Sequence, residues 1–120
     1  MAHILVADDD VELIAVQRGL LETLGYEVDT ALSPAETLRE IERKRPDLIV
    51  VDLRFPRASD GLDLIRGIRE KDSHMPMIVL SGWPDDLYGA PEESLVSRVV
   101  VKGGIQDLLR AIAELLAQPA

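Results

Sequence analysis

The chain is 120 residues long, contains no cysteine, and sets 13 Lys and Arg against 22 Asp and Glu for a formal net charge of -9. At that length one hydrophobic core supports a single domain without staples. The missing thiols exclude a disulfide framework or a thiolate metal site, and the negative balance argues against direct binding of nucleic acid or a membrane surface. The opening MAHILVADDD has no basic region before its short apolar stretch. No apolar run approaches the roughly 18 residues that span a bilayer, so a soluble, cytoplasmic protein is expected.

Apolar periodicity alternates between two patterns along the chain. Ile4 to Ala7 form a short apolar run that ends in three carboxylates. From Val11 to Leu24 apolar residues recur mostly at intervals of three and four, which predicts an amphipathic helix stopped by Gly25. Glu27 to Ala31 alternates as an edge strand would. Ser33, Pro34 and Glu36 make a helix-start signature of hydroxyl cap, first-turn proline and capping glutamate. That helix is expected to run to about Lys44, ahead of Arg45-Pro46. Leu48 to Leu53 is apolar on both faces apart from Asp52, as a central parallel strand is. After a polar loop with Pro56 and Gly61, a third helix is expected over Leu62 to Glu70. A fourth strand follows at Met77 to Leu80, a fifth at Val96 to Val101, and a closing helix at Ile105 to Ala117. Between Ser81 and Ser94, Gly82, Pro84, Gly89 and Pro91 leave room only for a short or irregular fourth helix. Strand-helix repeated about five times predicts an α/β fold with a parallel sheet, right-handed crossovers and helices on both faces.

In such a sheet ligands bind beyond the carboxyl ends of the strands. The first strand delivers Asp8, Asp9 and Asp10 there, the third Asp52, the fourth Ser81 and Gly82, and the fifth Lys102. Two like charges about 4 Å apart repel by roughly 4 kcal/mol at an effective dielectric near 20, so clustered carboxylates call for a cation among them. A hard divalent ion held by oxygen, Mg²⁺, fits best. Carboxylates, metal, hydroxyl and lysine together suit phosphoryl transfer with one aspartate as nucleophile. Asp52, alone at the end of the most buried strand, is the candidate. Ser81 and Lys102 would bind phosphoryl oxygens, while Asp8 and Asp9 would hold the metal with Asp52 and a main-chain carbonyl just after it. Each feature also has a plain structural role: Asp10 as a helix cap, Ser81 in a turn, Lys102 in solvent.

With these residues in place, the sequence resembles the receiver domain of two-component response regulators, of the CheY type. LVADD matches the family's acidic pair at Asp8 and Asp9, VDLRFP its phospho-acceptor at Asp52, VLSG its hydroxyl at Ser81, and VVVK its lysine at Lys102. The resemblance runs from about His3 to Ala117. It implies one receiver domain over residues 1–120, with a flavodoxin-like three-layer sandwich and a five-stranded parallel sheet in the order 2-1-3-4-5 with about five helices. It also implies Mg²⁺ as cofactor, with the Arg54 carbonyl as a ligand. The implied phosphoryl donor is a phosphohistidine on a sensor histidine kinase or phosphotransfer protein, and a downstream output protein or domain reads the result. Such a protein is a switch that catalyses its own phosphorylation and dephosphorylation, not a turnover enzyme.

The sequence also departs from that family. The interval from Asp52 to Gly61 is one residue longer than usual, which predicts an insertion around Arg57 to Asp60. Gly103 replaces the proline that follows the lysine, so a trans or a strained cis bond is expected there. Val99 replaces the switch aromatic. A phosphorylation-independent interaction module of the same fold is therefore the alternative. A flavin- or nucleotide-binding α/β protein is disfavoured, since no glycine-rich phosphate loop follows the first strand. Arg54 and Trp83, each two residues past a site residue, are placed to stack and to slow loss of a phosphoryl group. Trp83 serves equally to pack the irregular segment. His3 and His74 are read as non-ligands. The stripe Leu108, Leu109, Ile112, Leu115 and Leu116 exceeds one buried face, and a weak homodimer would use the excess.

Overall fold

The computed structural model describes residues 1–117, the Pro84 side chain excepted. Five strands form one parallel sheet in the order β2-β1-β3-β4-β5. They are β1 (His3–Ala7), β2 (Glu27–Ala31), β3 (Leu48–Asp52), β4 (Met77–Ser81) and β5 (Arg98–Val101). Four α-helices, α1 (Val11–Thr23), α2 (Pro34–Arg43), α3 (Ala58–Lys71) and α4 (Ile105–Ala117), supply the crossovers. About five were expected. The place of the remaining one is taken by two 3-10 turns, Pro84–Asp86 and Pro91–Leu95, where the prolines and glycines interrupt the α-helical ladder.

Successive strand side chains point to opposite faces, and the core divides accordingly. Ile4, Val6, Leu48, Val50, Ile78 and Leu80 pack beneath α1 and α4. Leu5, Ala7, Ile49, Val51, Met77 and Val79 pack beneath α2 and α3. The C-terminal stripe is taken up by the first of these clusters, with Leu108, Ile112 and Leu115 buried and Leu109 and Leu116 half-buried against it. Among the described residues no helix is long and apolar enough to cross a membrane.

The caps follow the sequence. Asp10 Oδ1 accepts from the N–H groups of Glu12 and Leu13 at 3.1 Å each, and Ser33 Oγ accepts from Glu36 N–H at 3.1 Å. Past α1, Gly25 sits at φ +96°, the left-handed conformation that glycine adopts freely. Helix α3 corrects the reading of the loop before it. It starts at Ala58, not Leu62, so residues 58–60 form its first turn. Close packing fixes this start, because a Cβ on Gly61 would lie 1.7 Å from the Leu53 carbonyl oxygen. The irregular segment is pinned to α3 by polar contacts. The buried Glu92 carboxylate pairs with Arg66, and Arg69 donates to the carbonyl of Leu95 at 2.8 Å while also holding that of Met75, in the loop before β4, at 2.7 Å.

Candidate functional site

At the carboxyl edge of the sheet the ladder extends beyond the strand ends. Asp8 N–H donates to Ala31 O at 3.1 Å, Leu53 N–H to Leu80 O at 2.9 Å, and Lys102 N–H to Ser81 O at 2.9 Å. The residues that carry side-chain chemistry are thus held on the rigid sheet. Asp8 and Asp52 are buried, Asp9 is exposed at the rim, and one oxygen of each lies within 4.8 Å of the others. Lys102 reaches across from β5. Its Nζ donates to Asp52 Oδ2 at 2.8 Å and lies 3.5 Å from Asp8 Oδ2. Ser81 is buried at the end of β4, where its Oγ accepts from Trp83 N–H at 3.0 Å. A hydroxyl keeps its own proton to donate while accepting in this way. Asp8, Asp9, Asp52, Ser81 and Lys102, drawn from four strand ends, are therefore brought to one crevice. The Arg54 carbonyl, on the loop leaving β3, accepts no backbone hydrogen bond among the described residues.

Crowding shows in the protonation equilibria. Burial pushes the Asp8 carboxyl above the usual carboxylate range, and repulsion from Asp52 adds to it, against the opposing Asp10 N–H and Lys102. For Lys102 burial is the largest influence and pulls downward, but the hydrogen bond and charge of Asp52, with help from Asp8, outweigh it and the ammonium is held above its ordinary value. Asp8 Oδ2 is buried without a hydrogen-bond partner. An orphaned anionic oxygen beside two further carboxylates is a donor set that fits a hard divalent cation.

The departures from the family pattern have definite structures. The Lys102–Gly103 bond is trans, and Gly103 takes φ +94°; the cis bond found among the described residues joins Phe55 to Pro56. Arg54 does stack on Trp83, its guanidinium carbon 4.2 Å from the ring centroid. The third member of this group carries no sequence signal. Asp86 accepts from Arg54 Nε at 2.8 Å and from a terminal nitrogen at 3.4 Å. His3 likewise has neighbours that only the strand register reveals. Parallel pairing of β1 and β2 sets its Nε2 2.7 Å from Asp29 Oδ2 and near Glu27, carboxylates that Arg43 and Lys44 already pair. Beside the crevice, an apolar groove of about 210 Å³ runs between α1 and α4, lined by Leu13, Val16, Leu20, Gly103, Ile105 and Leu108.

The chain belongs to the response regulator receiver domain family, whose sequence pattern it matches over residues 4–113. Among curated proteins it is similar to the transcriptional regulatory protein PrrA of Mycobacterium tuberculosis, with 42% identity over 80 residues, 66% of this chain and 34% of that protein. It is also similar to the transcriptional regulatory protein GlrR of Escherichia coli, with 35% identity over 99% of this chain and 27% of that protein. The chain thus spans between about a quarter and a third of the length of these relatives. Among solved structures, the response regulator protein TrrA of Thermotoga maritima in complex with Mg(2+)-BeF superposes with a TM-score of 0.86 at 27% identity, covering 96% of this chain and 99% of that one. A receiver domain from Clostridium thermocellum gives 0.86 at 31% identity, covering 97% and 94%. The flavodoxin-like, CheY-type sheet order expected from the sequence is the one observed.

Proposed function

We propose that the chain accepts a phosphoryl group on Asp52 and so acts as the switch of a two-component phosphorelay. The observation that carries this reading is the buried Asp52 carboxylate with Lys102 Nζ at 2.8 Å on one oxygen and two further carboxylates within 4.8 Å. Lys102 holds Oδ2 and leaves the other oxygen free to attack phosphorus. The bond from phosphorus to the donor imidazole breaks, the imidazole leaves, and an acyl phosphate remains on Asp52. Ser81 donates its hydroxyl proton to one phosphoryl oxygen, and Lys102 turns its ammonium toward another. Hydrolysis returns the Asp52 carboxylate and inorganic phosphate, so the protein catalyses only its own phosphorylation and dephosphorylation. Asp8, Asp9, Asp52 and the Arg54 carbonyl would hold Mg²⁺. That ion supplies charge neutralisation at the crowded carboxylates and at the transferring phosphoryl oxygens.

This reading treats residues 1–120 as one receiver domain of the cytoplasm, although 118–120 lie outside the described residues. The donor is the phosphohistidine of a sensor kinase or phosphotransfer protein. It must bring its histidine to the crevice, and the apolar groove beside Gly103 offers it a seat. A Val16→Asp protein should lose transfer from such a donor at least tenfold while still accepting phosphate from acetyl phosphate; equal loss with both donors would remove the groove from this role. Val16 is 60% exposed, so the change leaves the core alone.

The raised Asp8 carboxyl gives a pH test with a definite sign. Its folded value lies above its unfolded one, so its contribution to stability is complete at low pH and is lost as pH rises through the folded value. Cation binding needs the ionised form. The increase in melting temperature on adding Mg²⁺ should therefore be large at neutral pH, where ligand at 100 times Kd is worth about 2.7 kcal/mol, and be lost as pH falls through the raised Asp8 value toward the ordinary carboxylate range. An increase independent of pH would place the ion elsewhere. The overall reading is tested by Trp83 fluorescence during titration with Mg²⁺ and then beryllofluoride. A response lost in Asp52→Asn supports it, and silence in both proteins favours the phosphorylation-independent module.

A further inference from the structure

Two loops leave the adjacent strands β3 and β4 beside the acceptor, and a single side chain ties them together. Arg54 lays its guanidinium face on Trp83 at 4.2 Å and directs its N–H edge at both oxygens of Asp86, at 2.8 and 3.4 Å. Asp86 lies on the first 3-10 turn, so the contact joins the acceptor loop to the irregular segment. The Trp83 backbone is in turn held by Ser81 Oγ. The Arg54 and Asp86 side chains are 44% and 22% exposed, and ion pairs this open to solvent are weak and easily exchanged. A phosphoryl group on Asp52, two residues from Arg54, presents more negative charge than a carboxylate and three strong acceptor oxygens. Guanidinium groups favour such acceptors.

Building on the acceptor role of Asp52, we infer that Asp86 is a positioning residue that competes with the phosphoryl group for Arg54. With Asp52 free, Asp86 holds the guanidinium edge. With Asp52 phosphorylated, the edge turns to a phosphoryl oxygen while the face stays on Trp83, and the turn Pro84–Asp86 is released. The coupling is reciprocal: Asp86 weakens phosphoryl binding by the factor with which phosphorylation weakens the Asp86 contact. This gives the chain a route from Asp52 to its irregular segment that does not use an aromatic residue on β5, where Val99 stands.

The test is a beryllofluoride titration in Mg²⁺, with bound fluoride followed by fluorine NMR. Asp86→Asn should bind about two- to fivefold tighter than the wild type, the range set by an exposed ion pair. Asp86→Glu should return the affinity toward the wild-type value. Asp85→Asn removes the same charge from the same turn, where Asp85 is exposed, and should leave affinity unchanged. In an Arg54→Ala background, which keeps the Arg54 carbonyl, Asp86→Asn should have no effect, closing a double-mutant cycle. Equal shifts in Asp85→Asn and Asp86→Asn, no shift in Asp86→Asn, or a shift that persists without Arg54 each overturn the competition. A wild-type protein with no bound-fluoride signal overturns the acceptor role itself, an outcome distinct from the other three.

Discussion

Gly61→Ala is expected to destabilise the chain by about 3 kcal/mol or more, beyond the usual range for overpacking, because the clash is with backbone. A Cβ there would sit 1.7 Å from the Leu53 oxygen, 2.6 Å from its carbonyl carbon and 2.9 Å from its Cα. No rotamer relieves such contacts. The first turn of α3 must lift off β3 or the loop after Asp52 must move, and either displaces the Leu53–Arg54 backbone from the crevice. Gly19→Ala is the matched control. Gly19 is exposed on α1 with nothing within 4 Å of its added methyl, and the change should stabilise by up to about 1 kcal/mol through helix propensity. Urea denaturation of the two variants reads both effects. Similar midpoints for Gly61→Ala and the wild type would mean that α3 does not press on β3 as described.

Lys102→Ala is expected to lower the rate of Asp52 phosphorylation by about 10²- to 10³-fold, as for loss of one charge-stabilising donor from a reaction centre. The same change should raise Mg²⁺ affinity. Lys102 Nζ lies 2.8 Å from Asp52 and 3.5 Å from Asp8, so it competes with a cation for both carboxylates. Its removal leaves two buried carboxylates that repel each other, and an added ion relieves that repulsion more than in the wild type. Opposite signs for metal affinity and transfer rate distinguish a lysine that serves the phosphoryl group from one that merely neutralises Asp8. Paired measurement of Mg²⁺ binding and acetyl phosphate turnover checks it; a rate within a few-fold of wild type would count against the assigned role.

Sequence patterns made the sheet legible where local signals agree with tertiary packing. β2 and α4 have the expected limits, since alternation marks one and a long amphipathic stripe marks the other. The site residues were legible because a parallel sheet makes strand ends converge, so four short apolar runs followed by Asp8, Asp52, Ser81 and Lys102 already describe one crevice. The start of α3 was not legible. Ala58, Ser59, Asp60 and Gly61 read as loop by composition, and the helix extends through them because Gly61 alone permits close approach to Leu53. Nor was Asp86 legible as the partner of Arg54. It lies 32 positions away in a chain rich in acidic residues, and only the folded path of the 3-10 turn selects it from the others. His3 and Asp29 show the same limit: the pair depends on the register between β1 and β2.

The most direct measurement is the intact mass of the protein after incubation with acetyl phosphate and Mg²⁺, made on the wild type and on Asp52→Asn. The wild type should gain the mass of one phosphoryl group, labile to alkaline hydrolysis as an acyl phosphate is, and Asp52→Asn should gain none. An increment of equal size in Asp52→Asn, or none in the wild type, would contradict Asp52 as the acceptor.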